Sequence, residues 1–173
     1  MSNISGFTTE QIAALTTEQI QSLTTADIVA LTTAQVQALT TEHVVALQTN
    51  QIQALTTAGV GALTTAQVAA LETRDVAVLK TTQLAALSTA AVAALDTSQV
   101  QALSSVAISA LSTSTIAALT TEQIQALSTA QVQAITTAGI AALTTAQVAA
   151  FETNDVAVLK TSQIGRASCR ERV

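Results

Sequence analysis

The chain has 173 residues, 49% of them hydrophobic, yet only 1% aromatic and 10% charged, with a formal net charge of −5 at neutral pH. Phe7 and Phe151 are its only Phe, Trp or Tyr residues, His43 its only imidazole and Cys169 its only thiol, and it has no Pro. So little raw material excludes most catalytic and ligand-stacking chemistry, and the expectation is a non-enzymatic protein with no cofactor and no metal.

Mean hydropathy is +0.49, unlike the low hydrophobicity and high net charge that keep a chain unfolded. Polar Thr, Ser or Gln residues recur within every eight positions, so no run approaches the ~18 apolar residues of a membrane-spanning helix. Residues 1–6 read as a lead-in, and the opening MSNISGFTTEQ lacks the basic and apolar regions of an ordinary secretory signal peptide. Export through a C-terminal signal remains compatible with that opening.

Residues 7–163 are an array with a period of eight. Leu recurs at Leu15, Leu23, Leu31 and onward to Leu159, with Phe7, Ile135 and Phe151 in the same slot. Two residues later stands Thr, as in Thr17 and Thr25, with Ser105 the one substitute. Five residues after the Leu comes Ile or Val, as in Ile20 and Ile28, with Leu84 the exception. The unit is A-L-x-T-x-x-[IV]-x, in about twenty tandem copies by the repeat criterion. A longer period lies on top: residues 39–83 return at 119–163, an offset of 80 residues, and LETRDVAVLKT at 71–81 is echoed by FETNDVAVLKT at 151–161.

The final ten residues, IGRASCRERV at 164–173, share nothing with this pattern. They resemble the translation of a standard short-read sequencing adapter and are expected to be foreign to the array. Without Arg166, Arg170, Arg172, Glu171 and Cys169, three basic residues face ten acids, a net charge of −7. Neither a nucleic-acid footprint nor cysteine chemistry then remains.

A continuous helix turns about 100° per residue, so an eight-residue repeat drifts by about 80° and would wind the Leu stripe around the cylinder. A break in every unit is therefore expected, and LTTEQI supplies the signal. The Thr16 hydroxyl can cap a helix while Gln19 reaches back in a capping box, with Leu15 and Ile20 forming the hydrophobic staple. The second Thr is nearly fixed whereas the first slot admits Gln48, Glu72, Lys80, Glu152 and Lys160. The cap thus falls on either Thr, or Thr17 lies on an inner stripe with Ile20 and Leu23. Helices this short sit far below the ~12 residues at which an isolated helix becomes marginal. The expected fold is all-α, a solenoid of short capped helices, one per octad, stabilised by stacking on one another. Variable slots such as Glu18, Ala34, Asn50 and Arg74 should face water. The alternative is a β-solenoid, favoured by Thr, Val and Ile content. It is disfavoured by the five-residue spacing of Leu and Ile/Val, which puts them on opposite faces of a strand, and by sporadic Gly for corners.

Candidate chemistry is sparse. His43 replaces the usual Gln of its octad and reads as a lone exposed variant. Asp27, Asp75, Asp96 and Asp155 occur at most one per octad, without the spacing of a calcium site. Glu72, Arg74, Asp75 and Lys80, echoed by Glu152, Asp155 and Lys160, read as solvated surface charge, or, through their recurrence, as a partner-binding patch.

The stretch LTTEQIAAL resembles the first-helix opening of TAL-effector repeats, but without their base-reading loop, so DNA binding is not implied. Phe7 to Gln163 resembles the TTxQ[IV]xAL octapeptide arrays of large secreted or surface proteins of proteobacteria, often labelled haem-utilisation or adhesin-like. That resemblance implies an extracellular or cell-surface spacer or stalk with an unknown protein or surface partner. The alternative is recognition of a repetitive surface, ice or polysaccharide, through a regular Thr face.

Overall fold

A computed structural model describes residues 4–161 and 163. The adapter-like tail lies outside the described residues. Among them the structure is all-helical: a 3-10 turn over Ile4–Gly6 is followed by nineteen α-helices of five or six residues, from α1 (Thr9–Ala13) to α19 (Thr153–Val158), one per octad. The repeat packing takes in Ile4, which is buried and occupies the Ile/Val slot of its own unit.

Each helix starts where the capping signal places it. In α2 (Thr17–Ser22) Thr16 is the N-cap, its hydroxyl accepts from the Gln19 N–H at 3.3 Å, and Gln19 Oε1 accepts from the Thr16 N–H at 2.8 Å. The first Thr is therefore the cap, and Thr17 is the first helical residue, half-exposed and not part of an inner stripe. Termination is equally local. Leu23, at φ −64 and ψ 135, and Thr24, at φ −75 and ψ 161, are both extended. Two such residues turn the chain into α3 (Thr25–Ala30). Among the described residues no φ is positive and no peptide is cis, so these corners need neither Gly nor Pro.

Every helix packs on the one three places along the chain: α1 on α4 (Thr33–Ala38), α2 on α5 (Thr41–Ala46), α3 on α6 (Thr49–Ala54), and so on. One superhelical turn is thus three octads of eight residues, 24 in all, and the array is three-sided, with helices as faces and extended Leu–N-cap pairs as corners. The interior is a single apolar column. From Ile4 to Ile140 the Ile/Val slot is enclosed, as in Ile52, Val68 and Ile116, and the Leu slot closes it, as in Leu47 and Leu119, while Val148 and Val156 at the end of the array are exposed. The variable slots Glu18, Ala34, Asn50 and Arg74 are exposed. Ala38, Ala46 and Ala54 fill the last position of their helices and pack half-buried against the core.

The 80-residue offset is ten octads, three full turns and one octad more. The two charged octads therefore fall on different faces, one on α9 (Thr73–Ala77) and the other on α19. They form no shared patch.

The same substitution should separate the column from the faces. Val68→Ala removes two buried carbons and should cost about 2 kcal/mol, whereas Val106, 67% exposed, should tolerate the change within about 0.5 kcal/mol. Chemical denaturation midpoints of the two variants check this.

Candidate functional site: the corner glutamine ladders

The third helical residue of each unit, Gln in most copies, points into the corner, and from the second turn onward it is buried: Gln35, Gln51, Gln67, Gln83, Gln99, Gln123, Gln131 and Gln147 are each 4% exposed or less. Gln67, at the start of α8 (Thr65–Ala69), illustrates the arrangement. Its Oε1 accepts from the Thr64 N–H at 2.8 Å, and its Nε2 donates to the carbonyls of Val36 at 2.8 Å and Leu39 at 2.7 Å. Those carbonyls lie at the end of α4, at the corner one turn below. Gln131 repeats the pattern with Val100 and Leu103 at 2.9 and 2.7 Å, and Gln35 with Ile4 and Phe7 at 3.0 and 2.8 Å.

The physical need behind this is general. A helix leaves its first N–H groups and its last carbonyls without partners inside the helix, and burying them unpaired is costly. One carboxamide offers an acceptor and two N–H donors. It can satisfy an N-terminal N–H of its own helix and two C-terminal carbonyls of the turn beneath, which neither Glu nor Lys can do. The sequence discloses the first half as a capping box, and the second half follows only once three octads per turn are known.

The same geometry explains the variable first slot. Lys80 and Gln48 give no side-chain cap, yet their backbone N–H groups still donate to Gln83 Oε1 at 2.8 Å and Gln51 Oε1 at 2.7 Å. The ladder residue holds the helix start by itself. For the nearly fixed second Thr the structure gives one inter-turn contact, Thr49 Oγ1 to Asp75 Oδ1 at 3.2 Å, and nothing else explains its constancy.

Two expectations are corrected here. His43 is 4% exposed, not a surface variant. Its Nδ1 accepts from the Thr40 N–H at 3.2 Å and its Nε2 lies 2.8 Å from the Leu15 carbonyl, so the neutral Nε2–H tautomer performs the two-way role of the amide. Asp75 and Asp155, read as solvated charge, are 0% and 4% exposed, because they too occupy the ladder position. Glu72 and Arg74 do stay at the surface, paired at 2.5 Å. Asp27 lies in the first turn and accepts from the Thr24 N–H at 2.9 Å. Asp96 caps α12 (Thr97–Ala102), accepting from the Gln99 N–H at 2.7 Å.

Exposed acids at helix starts are stabilised as anions. Glu10, Glu18 and Glu122 are held below the usual carboxylate range, first by their own backbone N–H groups and then by the capping Thr hydroxyls. For Asp27 the Thr24 hydroxyl is the leading cause. Among the described residues no group of three or more His, Cys, Asp or Glu is placed to hold a metal ion. An open groove of about 640 Å³ runs across α2, α5 and α8, lined by Thr17, Gln21, Thr41, Glu42, Val45, Ala46 and Ala70.

A family profile described as the ALTTAQ repeat matches the chain at residues 2–25, 20–49, 44–73, 68–105 and 100–137, in overlapping tandem. The chain belongs to the ALTTAQ repeat family. No curated protein and no solved structure matches it. The hexapeptide itself stands at residues 30–35, 62–67 and 142–147, and each letter of the ALTTAQ repeat now has a place. Ala ends one helix, Leu closes the core at the corner, Thr caps, Thr and Ala begin the next helix, and Gln bridges to the turn beneath.

Gln67→Ala strips an N–H of its acceptor and two carbonyls of their donor and should cost about 2–3 kcal/mol. Gln19→Ala, in the exposed first turn where only the box is made, should cost about 0.5–1 kcal/mol. Equilibrium unfolding in urea compares them, and equal losses would contradict the inter-turn role.

Proposed function

We propose that this chain is a non-enzymatic structural region, a spacer or stalk, or an extended interaction surface, of a large bacterial secreted or surface protein. The observation that carries the reading is that the buried ladder amides and His43 join one turn to the next. Each turn ends in the carbonyls that the next turn's amides require, so such an array lengthens by repetition alone. The resemblance to secreted octapeptide arrays supports a place outside the cell.

A second reading is binding of a repetitive surface, ice or polysaccharide, through regular Thr rows. One face favours it. The helices α8, α11 (Thr89–Ala93), α14 (Thr113–Ala117) and α17 (Thr137–Ala142) stack on one another and direct only Thr, Ser and Ala outward. Thr65, Thr89 and Thr113 stand exposed in a row, one turn apart.

Small-angle scattering is expected to give the profile of a stiff rod, unchanged between low and high salt. A compact or flexible-coil profile would remove the spacer reading. Thermal hysteresis and pull-down on insoluble polysaccharides test the second, which requires activity that a Thr89→Lys substitution abolishes.

A further inference from the structure

Asp75 Oδ2 is the one buried side-chain atom without a hydrogen-bond partner among the described residues. Asp75 is fully buried at the ladder position of α9, in the corner stack that holds Gln51 one turn below and Gln99 one turn above. Gln51 donates to the Ile20 and Leu23 carbonyls, both at 2.8 Å, and Gln99 to those of Val68 and Leu71, at 3.3 and 2.5 Å. The carbonyls in the same relation to Asp75 are those of Val44 and Leu47, and an ionised carboxylate can only accept. The side chain nonetheless reaches towards the turn beneath, since Oδ1 takes the Thr49 hydroxyl, and it forms no box with its own cap.

The charged groups around this corner do not compensate an anion. On its own helix Arg74 is paired with Glu72 and keeps its Nε 3.9 Å from Oδ1. From α12 above comes Asp96, and Lys80 opens α10 (Thr81–Ala86), the next helix. α6 beneath and α8 before it carry no ionisable side chain, and α5, which ends in the Val44 and Leu47 carbonyls, carries Glu42, exposed, and His43, whose two ring nitrogens are taken by the Thr40 N–H and the Leu15 carbonyl. Burial raises the Asp75 pKa above the ordinary carboxylate value, against smaller opposing effects of the Thr49 hydroxyl and Arg74.

We propose that this corner is a pH-sensitive joint, in which Asp75 in its acid form supplies, through Oδ2–H, the donor that an amide supplies elsewhere in the ladder. The proton comes from solvent and returns to it. When the carboxylate forms, an anion faces carbonyl oxygens and the contact between α6 and α9 loosens.

The sign follows from linkage. The folded state holds this proton more tightly than the unfolded chain, so the stabilisation is complete below the unfolded pKa, about 3.9, and is lost as pH rises through the higher folded value. The exposed acids Glu10, Glu18, Glu122 and Asp27 act in the opposite sense, their contribution fading as pH falls. A variant confined to Asp75 separates the two.

Asp75→Asn keeps the shape and fixes a donor at every pH. Thermal midpoints of the full chain and of D75N are compared from pH 3 to pH 8, and the Asp75 carboxyl carbon of the unsubstituted chain is titrated by NMR. The expected result is coincident midpoints near pH 3, D75N rising several degrees above the parent by pH 8, and a carboxyl titrating above ordinary aspartates. A gap that does not change with pH, a D75N that falls below the parent at pH 8, or a carboxyl titrating at or below the ordinary value overturns the proposal. So does a parent midpoint that rises with added calcium or sodium at pH 8 while D75N is unmoved, because a cation would then occupy the proton's place. If D75N does not fold, the carboxyl titration decides alone.

Discussion

Most turns of this array are tied together by one carboxamide doing two jobs. Helices of five or six residues consist almost entirely of ends, so nearly every backbone group that a longer helix would pair internally has to find a partner elsewhere. The corner glutamine meets that demand at both ends at once, holding its own helix start with Oε1 and the helix end of the turn beneath with Nε2. The apolar column supplies the driving force, but it is non-directional. The ladder makes burial of so many helix termini tolerable and ties each turn to its predecessor.

Much of this was legible in the sequence. The eight-residue Leu period is incompatible with one long helix, and Thr16 with Gln19 marks a helix start that the structure reproduces with both box bonds. The inward positions of Ile20, Ile28 and Leu31 also follow from the period. The number of octads per turn was not legible, because twenty nearly identical units contain no residue that identifies its partner. With the partner unknown, Gln19 reads as a capping residue only, and His43 in the same slot reads as a stray. Once the partner is the corner 24 residues back, the choice of His becomes intelligible, since a neutral imidazole also pairs one acceptor with one donor.

The departures from Gln are equally informative. Ala91, Thr115 and Gly139 follow one another up the same corner, so the stack above Gln67 lacks an amide bridge until Gln163. Beside that corner lies the uncharged face of Thr, Ser and Ala. The ladder is therefore uneven along its length, dense where amides alternate with caps and sparse where small side chains rely on apolar packing alone. Near-identical core layers leave register weakly specified in principle, and the amide bridges are the polar elements that tie one turn to a definite partner.

The mismatch between block and superhelix has a consequence for how such arrays change. A block of 80 residues adds three turns and one octad, so each duplication or loss rotates everything downstream by about a third of a revolution, given three helices per turn. Whatever is attached beyond the array would change heading as well as distance, and three successive duplications would bring it back to its original azimuth. Copy number would then set an angle as well as a length, while every helix still packs on the one three places along the chain.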